Sequence, residues 1–169
     1  MIQRYNDTIP DFSKGKIDHP ETRLHLAVVD YLKGQIRSGK SVLQVIPPFP
    51  GLLFTAPTGE KKDKKEAFWA KRKGYKSGTP DLVLWERING ISTMMAIELK
   101  AKDGTQSGEQ KEFQQAFEAK GGLYAICRKV SEVRDTLKSW GLICKVEFCI
   151  EPAPSLADKY KFAWEAQRP

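Results

Sequence analysis

The chain has 169 residues, of which 40% are hydrophobic, and it carries a net charge of +7. That length and composition suffice for one domain with its own core and argue against several domains. The positive charge favours an anionic partner. The sequence contains neither a signal-peptide-like start nor an apolar stretch long enough to span a membrane, so we expect a soluble, cytoplasmic protein.

The first predicted element is an amphipathic helix that follows a polar arm at residues 1–18. Proline is tolerated in a first helical turn, where Pro20 lies, and Gly39 is the predicted stop. Glu21 precedes the apolar stripe by one turn, so it either stabilises the helix dipole or serves a site at the stripe's edge. The stripe has a 3.6-residue period and consists of Leu24, Ala27, Val28, Tyr31, Leu32 and Ile36.

A strongly basic segment follows two predicted short strands at residues 41–46 and 52–55. We expect a helix at residues 64–73, with Ala67, Phe68 and Ala70 on its apolar side. The segment from 61 to 76 has a net charge of +6, nearly the whole excess of the chain, and is either a solvated surface or a phosphate-binding face. Its position directly before the next strand favours phosphate binding. Its basic residues are Lys61, Lys62, Lys64, Lys65, Lys71, Arg72, Lys73 and Lys76.

The central feature of the sequence is a predicted hairpin whose strands are joined at Asn89-Gly90, a strong two-residue turn signal. Strand side chains alternate, so Glu98 and Lys100 lie on one face of the return strand, predicted at residues 91–101. Burying these charges is unfavourable unless they are paired or bind a ligand. Asp81 opens the first strand, about 5 Å across the hairpin from the return strand. Asp81 and Glu98 can therefore converge on one hard divalent cation, and a cross-strand ion pair of Glu98 with Lys100 is the alternative.

The rest of the chain predicts helix, strand, helix, strand. Ser107 and Gln110 form a capping-box pattern, residues 123–127 are a buried strand, Ser131 caps the next helix, and residues 142–150 alternate as a last strand. Strand-helix-strand units imply parallel pairing, so we predict an α/β fold with a mixed β-sheet flanked by helices. We assign the domain to residues 19–150, with a tail at 151–169 that packs on it or is flexible.

The three cysteines lie in strand-like runs without zinc-ligand spacing, and we interpret them as reduced core residues: Cys127, Cys144 and Cys149.

These motifs together resemble the VRR-NUC (virus-type replication-repair nuclease) family of the PD-(D/E)xK superfamily. The resemblance covers roughly residues 21–133 and depends on Gly78-Thr79-Pro80-Asp81-Leu82, on Ile97-Glu98-Leu99-Lys100, on the Ser107/Gln110 pair and on Gly121-Gly122-Leu123-Tyr124. It implies a restriction-endonuclease-like fold. The chain departs from the family at Thr58, usually Asn, and at His25, often Gln.

The resemblance implies a set of site residues. Glu21, Asp81 and Glu98 would hold Mg²⁺, with Mn²⁺ as a substitute, and the backbone carbonyl of Leu99 would face the metal. Lys100 would orient or activate the attacking water. Gln110 would support the site, cap its helix, or do both, and His25 would either line the site or lie on the helix surface.

The function implied is metal-dependent endonuclease cleavage of DNA. Stand-alone relatives of this kind resemble phage-encoded or bacterial junction resolvases, often homodimers, which implies branched or otherwise structured DNA. A C₂ dimer suits the two-fold symmetry of a four-way junction. Flap cleavage, or nicking in repair or packaging, is the variant interpretation, and a non-catalytic DNA-binding module with the same fold is the alternative.

Overall fold

Over the part of the chain that the structure describes, the fold is a four-stranded mixed sheet flanked by helices, which confirms the predicted fold class. The computed structural model describes residues 19–38, 41–57, 68–69 and 72–145. The strands are β1 (Gln35–Ser38), β2 (Ser41–Gln44), β3 (Leu53–Thr55), β4 (Leu82–Ile88), β5 (Ile91–Leu99) and β6 (Leu123–Cys127), and the helices are α1 (Pro20–Lys33), α2 (Gly108–Glu118) and α3 (Val130–Ser139). The sheet has the order β3-β4-β5-β6, with two antiparallel pairings followed by one parallel pairing, and β1 pairs with β2 in a separate hairpin.

The β4–β5 hairpin forms where the sequence predicts it. Asn89 and Gly90 have φ of 51° and 83°, the positive values that a tight two-residue turn requires, and Ile88 pairs with Ile91 directly across the turn. The chain then crosses through α2 and returns as β6, parallel to β5. This confirms the predicted parallel pairing and leaves Asp81 and Glu98 near one end of the two strands.

The core lies between one face of the sheet and the helices α1 and α3. The predicted stripe of α1 buries Leu24, Val28 and Leu32, and α3 buries apolar side chains at a helical period. The helix α2 packs on β6, with Phe117 edge-on to Tyr124. The fully buried sheet residues on the core side are Leu82, Leu84, Met95, Ile97, Leu99 and Cys127.

The end of α1 differs from the prediction. The helix stops at Lys33 because Gly34 adopts a left-handed conformation with φ of 63°. A Cβ atom there would lie 2.4 Å from the carbonyl oxygen of Val45, and the Gly34 carbonyl accepts a hydrogen bond from Val45 N–H at 2.8 Å. The predicted stop at Gly39 is therefore wrong, and Ile36 belongs to β1 rather than to the helical stripe.

Two predictions near the carboxyl end of the described chain are also wrong. Lys129 is the N-cap residue of α3 and Ser131 lies inside the first turn, because the helix begins at Val130. Residues 142–145 are not a strand, since Lys145 N–H bonds to the carbonyl of Pro48 at 2.7 Å in the loop before β3. Leu142 and Cys144 still pack partly against the core.

Several predictions fall outside the described residues: the arm at 1–18, the tail at 151–169, Cys149 and most of the basic helix. Within the basic helix, residues 68, 69 and 72 are helical, as expected. Phe68, which we placed on the apolar side of this helix, is 58% exposed. None of the helices in the described parts of the chain is long and apolar enough to cross a membrane.

Candidate functional site

The site is built around Glu98, which lies near the end of β5. Its residue surface is only 1% exposed, and that of Lys100, two residues later on the same face, is 8% exposed. The ammonium of Lys100 lies 2.9 Å from Oε1 of Glu98. The predicted alternative of an ion pair is therefore present. It satisfies both buried charges and is compatible with a functional role.

Asp81 is held opposite Glu98 by the hairpin register. Leu82 pairs with Ile97, so the next position of the ladder brings Asp81 and Glu98 to the same face. Oδ2 of Asp81 accepts a hydrogen bond from the backbone N–H of Leu99 at 2.8 Å. The other oxygen, Oδ1, lies 3.8 Å from Nδ1 of His25. Of the two interpretations that the sequence left open for His25, the structure therefore supports a place lining the site.

The segment before Asp81 is fixed by a close contact with α2. Gly78 has φ of 78°, and a Cβ atom on it would lie 2.1 Å from the carbonyl oxygen of Glu109. Only glycine fits this approach without displacing backbone. Gly78 therefore allows the segment before β4 to pack directly against the first turn of α2.

Gln110 makes the contacts that both of the open interpretations require. Its Oε1 accepts the N–H of Ser107 at 2.9 Å, and the Ser107 hydroxyl accepts the N–H of Gln110, which completes the capping box. Its Nε2 donates to Oε1 of Glu98. The cap therefore fixes the amide that holds the Glu98 carboxylate.

Glu21 reaches the same end of the sheet from the first turn of α1. Its Oε1 accepts a hydrogen bond from Ala101 N–H at 3.3 Å, and its charge contributes to the raised pKa of Asp81. Among the residues that the structure describes, however, no three His, Cys, Asp or Glu side chains stand close enough to form a metal site by themselves. Glu21 lies beside the pair of Asp81 and Glu98 rather than joined to it.

The electrostatics of the carboxylate pair favour a cation. Burial raises the pKa of Asp81, and the Leu99 N–H opposes that rise. Burial likewise raises the pKa of Glu98; the hydrogen bond from Lys100 opposes the rise, and the Asp81 charge adds to it. The two desolvated carboxylates repel each other, and the Lys100 ammonium beside Glu98 offsets only part of their combined charge. Mg²⁺ is commonly held by one or two protein carboxylates plus water, so Asp81 and Glu98 fit this ion by donor chemistry.

Sequence reasoning missed Tyr124 as a member of the site. Its hydroxyl donates to Oε2 of Glu98 at 3.4 Å. Burial, and then the Glu98 charge, raise the pKa of Tyr124, so it remains a protonated donor. A signal was available, because a tyrosine in a buried strand needs a partner for its hydroxyl, but the partner is 26 residues away in sequence.

The predicted DNA-binding residues are only partly described. Arg72, Lys73 and Lys76 are exposed, as a phosphate-binding face requires. Lys76 also lies over the ring of Phe113, at 5.7 Å from its centroid. Thr58 and the other predicted contacts lie outside the described residues: Lys61, Lys62, Lys64, Lys65 and Lys71.

The mixed sheet thus presents Asp81, Glu98 and Lys100 near one end of two strands, the arrangement expected of a restriction-endonuclease-like fold. Residues 56–131 match the VRR-NUC domain. A solved structure described as a "VRR_NUC domain protein" is similar to this chain with a TM-score of 0.51 and 18% identity, and the match covers 78% of this chain and 97% of that one. No curated protein sequence matches the chain. The resemblance to the VRR-NUC family is thus confirmed.

Proposed function

We propose that the protein is a Mg²⁺-dependent endodeoxyribonuclease that hydrolyses phosphodiester bonds in branched or otherwise structured DNA. The observation that carries the proposal is the convergence of Asp81 and Glu98, both raised in pKa, beside the ammonium of Lys100. Perturbed titratable groups that converge at one place are typical of active sites. The VRR-NUC match supports a nuclease-type, DNA-processing fold.

Each residue of the candidate site has its own role in the proposed hydrolysis. Asp81 and Glu98 would hold the cation, with Glu21 and the Leu99 carbonyl as further predicted ligands. When bound, Mg²⁺ supplies Lewis acidity and a water of lowered pKa. Lys100 places positive charge where the phosphate gains negative charge and orients the attacking water. Gln110 keeps the Glu98 carboxylate in place, and the basic segment binds phosphates of the DNA substrate.

A non-catalytic DNA-binding module is the second candidate. It is favoured by the separation of Glu21 from the other two carboxylates and by the lack of a three-ligand cluster among the described residues. The first candidate is preferred because a binding module gains nothing from desolvated carboxylates beside phosphates. The two candidates make opposite predictions about cleavage.

The deciding experiment uses labelled four-way junction, flap and plain duplex DNA with the parent protein. We expect cleavage of a branched substrate in Mg²⁺ and in Mn²⁺, and binding without turnover in Ca²⁺, which prefers looser coordination of higher number. Cleavage that persists in excess EDTA would contradict metal dependence. If no structured DNA is cut in Mg²⁺ while binding is retained, the non-catalytic module is correct.

Light scattering on the same samples tests assembly. We expect a homodimer with four-way junction DNA, since two symmetric cuts suit a C₂ pair. A protein that stays monomeric with and without the junction would favour flap cleavage or nicking instead.

A further inference from the structure

The carboxylate of Glu98 is held unequally at its two oxygens. Oε1 receives two donors, Lys100 Nζ and Gln110 Nε2. At Oε2 the donor is the Tyr124 hydroxyl, at the longer distance of 3.4 Å. Tyr124 therefore contributes the contact that restrains the second oxygen against rotation of the carboxylate.

Tyr124 is itself fixed by its neighbours. It pairs with Ala96 in the parallel ladder, which places it on the same sheet face as Glu98. Phe117 packs edge-on against its ring, with centroids 6.4 Å apart and planes at 72°. Phe117 occupies that position because residue 122 is glycine, where a Cβ atom would lie 2.3 Å from the Phe117 ring.

A chain of amides continues from Tyr124 to the surface of α2. Gln106 lies near the Tyr124 hydroxyl, where it acts to lower the pKa of that group, and it donates through Nε2 to Oε1 of Gln114 at 3.0 Å. Gln114 in turn donates to Oε1 of Glu118 at 3.0 Å. Each group in the chain fixes the orientation of the next.

We propose that Tyr124 is a positioning residue that acts through Glu98, and that Gln106 and Gln114 hold its hydroxyl in place. The inference depends on the proposed function, since it assigns this network to the orientation of a metal-binding carboxylate. Outer partners of metal ligands commonly tune affinity in this way.

The test compares Tyr124→Phe with Tyr31→Phe, which removes a hydroxyl that contacts Cys144 Sγ at 3.9 Å, away from the site. Mn²⁺ binding is measured by calorimetry without DNA. We expect roughly 10- to 100-fold weaker binding for Tyr124→Phe and no change for Tyr31→Phe. Cleavage by Tyr124→Phe should fall in kcat with the KM for DNA unchanged. Gln106→Ala should also weaken Mn²⁺ binding and lower kcat. This substitution leaves the packing of the Tyr124 ring against Phe117 unchanged.

Mn²⁺ affinities of Tyr124→Phe and Gln106→Ala within twofold of the parent would overturn the proposal while leaving the nuclease intact. Equal losses in Tyr31→Phe would show a general effect of hydroxyl removal and would also overturn it. A parent that binds no Mn²⁺ would overturn the proposed function and this inference together.

A second inference comes from the exposed aromatic pair before the site. Phe68 and Trp69 are 58% and 47% exposed, and their rings meet edge-to-face at 5.7 Å. The guanidinium carbon of Arg72 lies 5.1 Å from the Trp69 ring centroid and 6.0 Å from that of Phe68. We call these three side chains the aromatic platform.

The charge around the aromatic platform selects its partner. Between Glu66 and Asp81 the sequence has four basic residues and no acid. Exposed rings within a basic surface match the chemistry of unpaired nucleotides, whose phosphates are anionic and whose bases stack on aromatic side chains. Bases within a duplex are already stacked, so they have no free face to offer.

The geometry points to the aromatic platform as a binding site for unpaired bases of the DNA substrate. This inference refines the substrate of the proposed function: the preferred DNA has a single-stranded segment, as in a flap or an opened branch. Binding is measured in EDTA, so the result does not depend on cleavage. A protein that binds through the platform without cutting DNA would refute only the proposed catalysis.

The test compares Trp69→Ala and Phe68→Ala with Ile143→Ala, which removes an apolar side chain that is 74% exposed. We expect each platform variant to bind oligo-dT and flap DNA about 5- to 100-fold more weakly. Affinity for plain duplex should change less than twofold, and the salt dependence should be unchanged, because the basic residues that bind phosphates are all retained. Equal losses on duplex, or none on oligo-dT, would overturn the inference. The inference would also be overturned if the platform variants lost a dimer in light scattering but kept their affinity for DNA. That result would assign the aromatic platform to self-association.

Discussion

Replacing Asp81 by Asn or Glu98 by Gln is expected to lower the cleavage rate by about 10³-fold, the scale of losing one strong electrostatic group at a reacting centre. Asn at 81 can still accept the N–H of Leu99, now bonded to Asp81 Oδ2 at 2.8 Å, so the hairpin should stay intact. DNA binding should be as tight as in the parent, or tighter, since a negative charge near the phosphates is removed. A cleavage time course and a filter-binding titration on the same DNA measure the two effects.

Asp135→Asn is the matched control for these variants. Asp135 is an exposed carboxylate on α3 that pairs with Arg134 at 2.8 Å, and its loss should leave cleavage unchanged. If the variants at 81 and 98 lose binding as severely as they lose cleavage, the two carboxylates are structural and the site assignment is wrong.

The parts of the site that the sequence predicts correctly are encoded locally. The Asn89-Gly90 turn, the capping box of Ser107 and Gln110, and the alternation that pairs Glu98 with Lys100 all depend on residues within four positions of each other. Such local interactions can be predicted from the sequence because each residue pattern favours one backbone geometry. The pairing of β4 with β5, and hence the approach of Asp81 to Glu98, follows directly.

What the sequence could not predict depends on contacts between distant segments. Ile36 fits the helical period of α1, yet the contact of Gly34 with Val45 ends the helix before it. The hydrogen bond of Glu21 spans 80 residues, and that of Tyr124 to Glu98 spans 26. Periodicity describes which face a residue occupies, but not which side chain from another element meets it there.

The second large effect is expected from reversing the charge of the basic segment. The triple variant Lys71→Glu, Arg72→Glu and Lys73→Glu should weaken binding to every DNA sequence alike, by at least about tenfold at low salt, because phosphate contacts carry no sequence information. Arg72 and Lys73 are exposed, so the substitutions at these two positions place no charge in the core. The slope of log affinity against log salt should become shallower by about 0.9 for each phosphate that the protein no longer neutralises.

A second triple variant of the same net charge serves as the control in a salt titration of DNA binding. The comparison decides whether the position of the basic residues or the total charge of the protein determines DNA affinity. Lys129→Glu, Lys138→Glu and Lys145→Glu reverse three exposed charges around α3 and the segment after it. The control should shift affinity only slightly and leave the slope nearly unchanged, since charges outside the bound face release few counterions. If both triple variants weaken binding and flatten the slope equally, the protein attracts DNA through its net charge alone. The segment before Asp81 would then have no special role in presenting the phosphate to Asp81, Glu98 and Lys100.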